Sequence, residues 1–222
     1  MENRILLKTR ELLVRNGVKY VTMDDLAAQL GISKKTIYQY YTDKDALINA
    51  VVDFELEEQA LKCQGSQEKA ENAVHEMFLL LEHIQVLFKN MNPLILTELA
   101  KHHPTAFEKI KQHKNEFMHQ IINSNLKRGI SQGVYRDNID ADIIAAYRLE
   151  TGFIAFNQEV FPFSRYDVAK VNVQIMEHFI YGLLSTKGLS PKDKEAIALM
   201  TEMKDGKAVI QVGFEKGKSK LE

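Results

Sequence analysis

Cysteine, proline and glycine are all scarce in this 222-residue chain, and tryptophan is missing altogether. The single thiol, Cys63, can close no internal disulfide, which suits a reducing cytoplasm and leaves the hydrophobic core to hold the fold. Glycine and proline together supply 15 of 222 residues, against roughly 12% in an average chain. Only Gly17, Gly31 and Gly65 precede residue 129, too little turn punctuation for a fold of many short strands. Uncharged apolar runs of ~18 residues, the length of a membrane span, are absent. The first 20 residues carry seven charges where a signal peptide needs an apolar stretch. Neither sign of charge prevails, with 29 basic and 30 acidic side chains, so net charge nominates neither nucleic acid nor membrane. These absences exclude an all-β fold and predict an all-α, soluble, cytoplasmic protein.

What is present is helical periodicity. Ile5, Leu6, Thr9, Leu12 and Leu13 recur on one face of a helix over 4–15, closed by Gly17 as a left-handed cap. Thr22 with Asp25 resembles a capping box for a short helix through Leu26, Ala27 and Leu30 to Gly31. Ser33 caps a third helix from Lys34, and Thr42 or Asp43 a fourth that runs into the 60s. After Gly65 the pattern predicts a new helix from Ser66 to about Lys89. A helix after Asn92-Pro93 stops near His103, ahead of Pro104. Further helices are predicted over a long segment from Phe107 to about Gly129, from Asp140 to before Pro162, and from Ser164 onward. Ser190-Pro191 opens a tail helix closed by Gly206, and 207–214 carry a weak strand pattern.

Residues 22–41 meet the demands of a helix-turn-helix. Ala27 is small where two helices cross, and Gly31 supplies the positive φ of the tight turn at no Cβ cost. Leu26, Leu30, Ile32, Ile37 and Tyr40 are then the buried positions, and Ser33, Lys34, Lys35, Thr36, Tyr38, Gln39 and Tyr41 the exposed side. Ammonium groups and hydroxyls at a helix N-terminus suit a phosphate. Residues 1–47 hold eight basic and six acidic side chains, a small excess where the motif places it.

The run Gly17, Thr22, Leu26-Ala27, Gly31-Ile32-Ser33-Lys34, Thr36-Ile37-Tyr38, Tyr41 and Lys44-Asp45-Ala46-Leu47 resembles the DNA-binding domain of the tetracycline-repressor (TetR) family. Lys35 stands where a small residue is common in that family, and Tyr41 where phenylalanine is usual. The resemblance implies that Thr22, Thr36, Tyr38 and Lys44 touch the DNA backbone and that Lys34, Lys35 and Gln39 read base edges. It also implies a larger helical domain that dimerises and encloses a small-molecule effector. The expected division is a reading head at 1–47, a regulatory body at 48–186 and an extension at 187–222.

Metal chemistry finds little support. His75-Glu76 would need a histidine at the position of Leu79 to complete a His-Glu-x-x-His motif. Glu116 and His119 form one Glu-x-x-His pair where a di-iron bundle needs two. No metal, cofactor or catalytic residue is therefore expected. Phe78, Met91, His102, Phe107, Met118, Tyr147, Phe153 and Phe156 are candidates to wall an apolar effector cavity. Val168, Val171, Ile175, Phe179 and Leu183 are candidates for the dimer seam. The expected function is a repressor that binds palindromic double-stranded DNA as a homodimer and is released by an apolar or amphipathic ligand. The rivals are a constitutive helix-turn-helix adaptor whose body binds a protein partner, and a helical-bundle enzyme with a cryptic site.

Overall fold

A computed structural model describes residues 1–89 and 91–185, which lie in one compact unit, Met1–Gly188. Among them are ten α-helices: α1 (Glu2–Asn16), α2 (Met23–Leu30), α3 (Lys34–Tyr38), α4 (Lys44–Lys69), α5 (Ala73–Lys89), α6 (Ile95–His102), α7 (Pro104–His113), α8 (His119–Ser131), α9 (Ala141–Phe153) and α10 (Val168–Leu183). No strand occurs among the described residues, only an isolated bridge between Tyr135 and Leu184. The expected tail helix and strand lie outside the described residues.

Helix starts follow the caps. Thr22 accepts from the Asp25 N–H, Ser33 from Thr36, Asp43 from Ala46, Asp140 from Asp142 and Ile143, and Asp167 from Lys170. Each satisfies a backbone donor that the helix cannot. Helix α10 therefore starts after Asp167 and not at Ser164. Pro104 opens α7 where its missing N–H costs nothing, and α6 ends two residues before it.

Several boundaries differ from the sequence pattern. Gly65 sits inside α4, which continues to Lys69; a Cβ there would meet nothing, so the glycine reflects no steric demand. The break falls instead at 70–72, where Asn72 Oδ1 accepts from the His75 N–H. Helix α6 begins after Leu94, because the Asn92 side chain accepts from the Leu94 N–H while its own backbone N–H donates to Val14 O at 2.7 Å. The long segment after Phe107 is not one continuous α-helix: a π-helical turn at Lys114–Met118 separates α7 from α8. Gly17 has φ 85° and ψ 167°, so it ends α1 with an extended turn and not the left-handed cap.

One large core joins the first four helices to α6 and α7, with Ile5, Leu26, Ile37, Leu47 and Ile48 buried alongside Leu99 and Ala106. The boundary expected at residue 47 thus falls inside α4, and Val51 and Val52 beyond it still belong to the core of the head. In the body, α10 packs on α5 and α9, and α8 on α5 and α9. The buried Glu76 carboxylate there is compensated: Asn125 Nδ2 donates to it at 2.6 Å and the Arg128 guanidinium pairs with it. Buried charge is tolerable on those terms.

Candidate nucleic-acid interface

Helix α3 is set by its two ends. Gly31, at φ 65° and ψ 35°, turns the chain in the left-handed region and donates its N–H back to α2, while Ser33 caps the new helix. Ile37, fully buried, anchors α3 on the core of the head. Ser33, Lys34, Lys35, Tyr38 and Gln39 are exposed, as the motif predicts, and Thr36 is half-buried.

The two adjacent tyrosines exchange the places expected of them. Tyr40 is 43% exposed and Tyr41 only 8%, so Tyr41 is corrected from the exposed side to the core, where burial raises its phenol pKa. The α-helix stops at Tyr38, with Gln39 as its cap, so helical periodicity no longer governs the next residues. Tyr20, 66% exposed beside Thr22, is a surface aromatic that the motif did not single out.

Hydrogen bonds divide the expected contact residues. Thr22 Oγ1 is engaged by the Asp25 backbone and donates to its carboxylate at 2.6 Å. Ser33 Oγ and Thr36 Oγ1 lie 2.9 Å apart. Lys34 Nζ is 2.9 Å from Asp24 Oδ1, and that hydrogen bond and charge raise its pKa. Lys44 Nζ donates to Val18 O at 2.9 Å, and burial lowers its pKa. Lys35 alone of these three lysines has no hydrogen bond or ion pair among the described residues, and it is the cation most open to a phosphate or base.

Two of the expected effector residues meet at one cleft. Phe107 and Phe153 face a cleft of about 340 Å³ with Leu96, Thr97, Ala100 and Ile110, and Lys111 and Lys114 border it. Phe78 is buried in the bundle core. Phe156 packs edge-on against Phe88 at 5.1 Å, and Tyr147 stacks on Phe179 at 6.5 Å. Met91 and Met118 are half-buried and His102 is exposed, all outside the cleft lining. Of the stripe expected at a dimer seam, Val168, Val171, Phe179 and Leu183 are each at most 9% exposed within the single chain, and Ile175 packs beside Val168 and Val171. Helical spacing finds a buried stripe but cannot say whether the partner is the chain itself or a second copy.

Helix α6 stands between this cleft and the head. Leu96, Thr97 and Ala100 face the cleft, whereas Leu99 belongs to the core of the head. Glu98 Oε2 accepts the Lys19 N–H at 3.1 Å, and His103 Nδ1 at the end of α6 lies 2.5 Å from Asp45 Oδ1 on α4. Lys109 on α7 reaches Asp53 on α4 at 2.6 Å.

Residues 5–51 match the bacterial regulatory proteins of the tetR family. The chain is 35% identical over 108 residues to an uncharacterised HTH-type transcriptional regulator, YvaF, of Bacillus subtilis, a stretch that is 48% of this chain and 56% of that protein. The chain thus spans about half the length of that relative. A TetR-family regulator from Agrobacterium tumefaciens shares the fold at a TM-score of 0.68 and 15% identity, over 83% of this chain and 97% of its own. The regulator FadR of Bacillus subtilis, solved in complex with stearoyl-CoA, does so at 0.59 and 16%, over 82% of this chain and all of its own. The head, residues 5–51, thus carries the helix-turn-helix of the tetR family of bacterial regulatory proteins, on a helical body that shares the fold of solved transcriptional regulators.

Proposed function

We propose that this regulator is a repressor that binds a palindromic operator as a homodimer and is released when a small apolar or amphipathic molecule enters the cleft beside α6. The observation that carries the reading is the double engagement of α6, one side lining the cleft and the other built into the core of the head. A ligand that wedges Leu96 and Ala100 moves Glu98 and His103, and with them the Lys19 and Asp45 contacts that set the head on the body. The ligand must bind the moved state better than the DNA-bound state, since only differential affinity shifts the population.

A single short reading helix offers too few contacts for tight specific binding, and a second copy doubles them. Apolar side chains exposed on α9 and α10, Ile143 at 65%, Tyr147 at 51% and Tyr181 at 49%, are among those a two-fold partner covers. The adaptor reading gives the cleft no role, whereas the repressor reading uses it.

The test is selection of an operator from random double-stranded DNA, followed by mobility-shift titration and sedimentation of the free protein. A palindromic site bound by a dimer is expected. A monomer at micromolar concentration, or a selected site without two-fold symmetry, overturns the reading.

A further inference from the structure

A second opening, larger than the cleft beside α6, runs between the head and the body: a groove of about 730 Å³ with α1 on one side and α4 and α5 on the other. Its apolar lining is uncommonly open to solvent, with Leu7 at 42%, Val86 at 72% and Leu87 at 36% exposed, and Val14 beside them. Its charge is one-sided. Arg15 and Lys62 line it with exposed side chains that have no hydrogen bond or ion pair among the described residues. The only acid in the lining among the described residues, Glu11, is held by Lys8 at 2.9 Å, and Arg10 is paired with Glu55. Burial and the neighbouring Lys62 and Lys69 lower the pKa of His83 from 6.5.

From this lining we infer a second small-molecule site, for an amphipathic anion: an apolar chain against Leu7, Val14, Val86 and Leu87, and an anionic head between Arg15 and Lys62. A neutral apolar occupant leaves both cations without a counter-charge, and a cationic one is repelled by them. An anion with an apolar segment satisfies both halves of the lining. Because α1 is built into the core of the head and α5 belongs to the body, such a ligand ties the two together. The site shares no residue with the cleft beside α6, so it stands or falls separately from the effector reading.

The experiment titrates dodecanoate, dodecyl phosphate and dodecyltrimethylammonium, each below micelle-forming concentration, into the full chain by calorimetry, with amide hydrogen exchange on the complexes. Binding of the anions with new protection over 2–16 and 73–89 is expected, with the ammonium amphiphile roughly tenfold weaker or more. The order of carboxylate and phosphate identifies the preferred head. The double variant Arg15→Glu/Lys62→Glu is expected to lose roughly tenfold in anion affinity, and Lys127→Gln, an exposed cation outside both openings, to leave it unchanged. If the charge reversal does not fold, Arg15→Gln/Lys62→Gln reports the same loss in milder form. Equal binding of the ammonium amphiphile, protection confined to α6, α7 and α9, anion affinity indifferent to the charge variants, or no binding at all overturns the inference.

Discussion

Lys34 Nζ lies 2.9 Å from Asp24 Oδ1, so the first residue of the reading helix is tied to the helix before it. Both side chains are well exposed, and the hydrogen bond and charge of Asp24 raise the lysine pKa. To reach a phosphate Lys34 must leave Asp24, and the carboxylate itself repels DNA. Asp24→Asn is therefore expected to tighten DNA binding and to steepen the plot of log affinity against log salt by about one charge. Lys35→Ala, which removes the α3 lysine that has no hydrogen bond or ion pair among the described residues, is expected to make it shallower by about one. Fluorescence anisotropy on duplex DNA across a salt series measures both. Unchanged slopes in both variants would remove α3 from the interface.

Two glycines invite a comparison of cost. Gly17, at φ 85° and ψ 167°, occupies backbone open essentially only to glycine, and a Cβ there would lie 2.8 Å from Glu98 Oε2 and 2.9 Å from Asn92 Nδ2. Gly31 needs φ 65° but faces open space. Gly17→Ala is expected to cost about 1–3 kcal/mol in backbone strain before the contact with α6 is counted. Gly31→Ala is expected to cost only about 1–2 kcal/mol for one residue held left-handed. Urea unfolding of both variants ranks them, and a larger loss at Gly31 would contradict the assignment.

The local grammar of the head was legible because each signal acts within a few residues. Thr22, Gly31 and Ser33 specify the turn by capping and by φ alone, and the chain adopts it. Where the governing partner is remote, the pattern misleads. Tyr40 and Tyr41 change places because α3 ends at Tyr38, a boundary that periodicity does not mark. Val168, Val171 and Phe179 form the expected stripe, but α5, α9 and the short turn after α9 claim it within one chain. Phe107 and Phe153, 46 positions apart in sequence, line the same cleft, whereas Tyr147, nearer to Phe153, stacks on α10 instead. The hydrogen bond from Lys19 to Glu98 and the 2.5 Å approach of His103 to Asp45 carried no sequence signal, since each joins ordinary polar residues across distant segments.

If occupation of the cleft beside α6 drives release, a side chain that fills it should imitate the ligand. Ala100 borders the cleft on α6, and a larger group there presses toward Phe107 and Phe153. Ala100→Trp is expected to weaken operator binding roughly tenfold or more while leaving the far-ultraviolet spectrum and melting temperature close to those of the parent. Operator affinity equal to the parent's in a folded Ala100→Trp protein would separate the cleft from DNA binding.

His113 provides a titration whose sign is fixed by its surroundings. The ring stacks on Phe117 at 4.8 Å, Nε2 is buried with no hydrogen-bond partner among the described residues, and burial lowers the pKa from 6.5. A depressed histidine pKa means that the unfolded chain takes up the proton more readily than the folded one. The neutral ring then favours folding above about pH 6.5, and that contribution is lost as pH falls through this value. The parent is therefore expected to lose stability between pH 7 and 5. His113→Phe keeps the stacking partner for Phe117 and removes the proton site, so its stability should fall less over the same range. His83, whose pKa is lowered by burial and by Lys62 and Lys69, adds a contribution of the same sign. Thermal melts of parent, His113→Phe and the double variant with His83→Phe should therefore show progressively flatter pH dependence. A His113→Phe curve parallel to the parent's would show that the ring next to the π-helical turn takes up its proton as easily folded as unfolded.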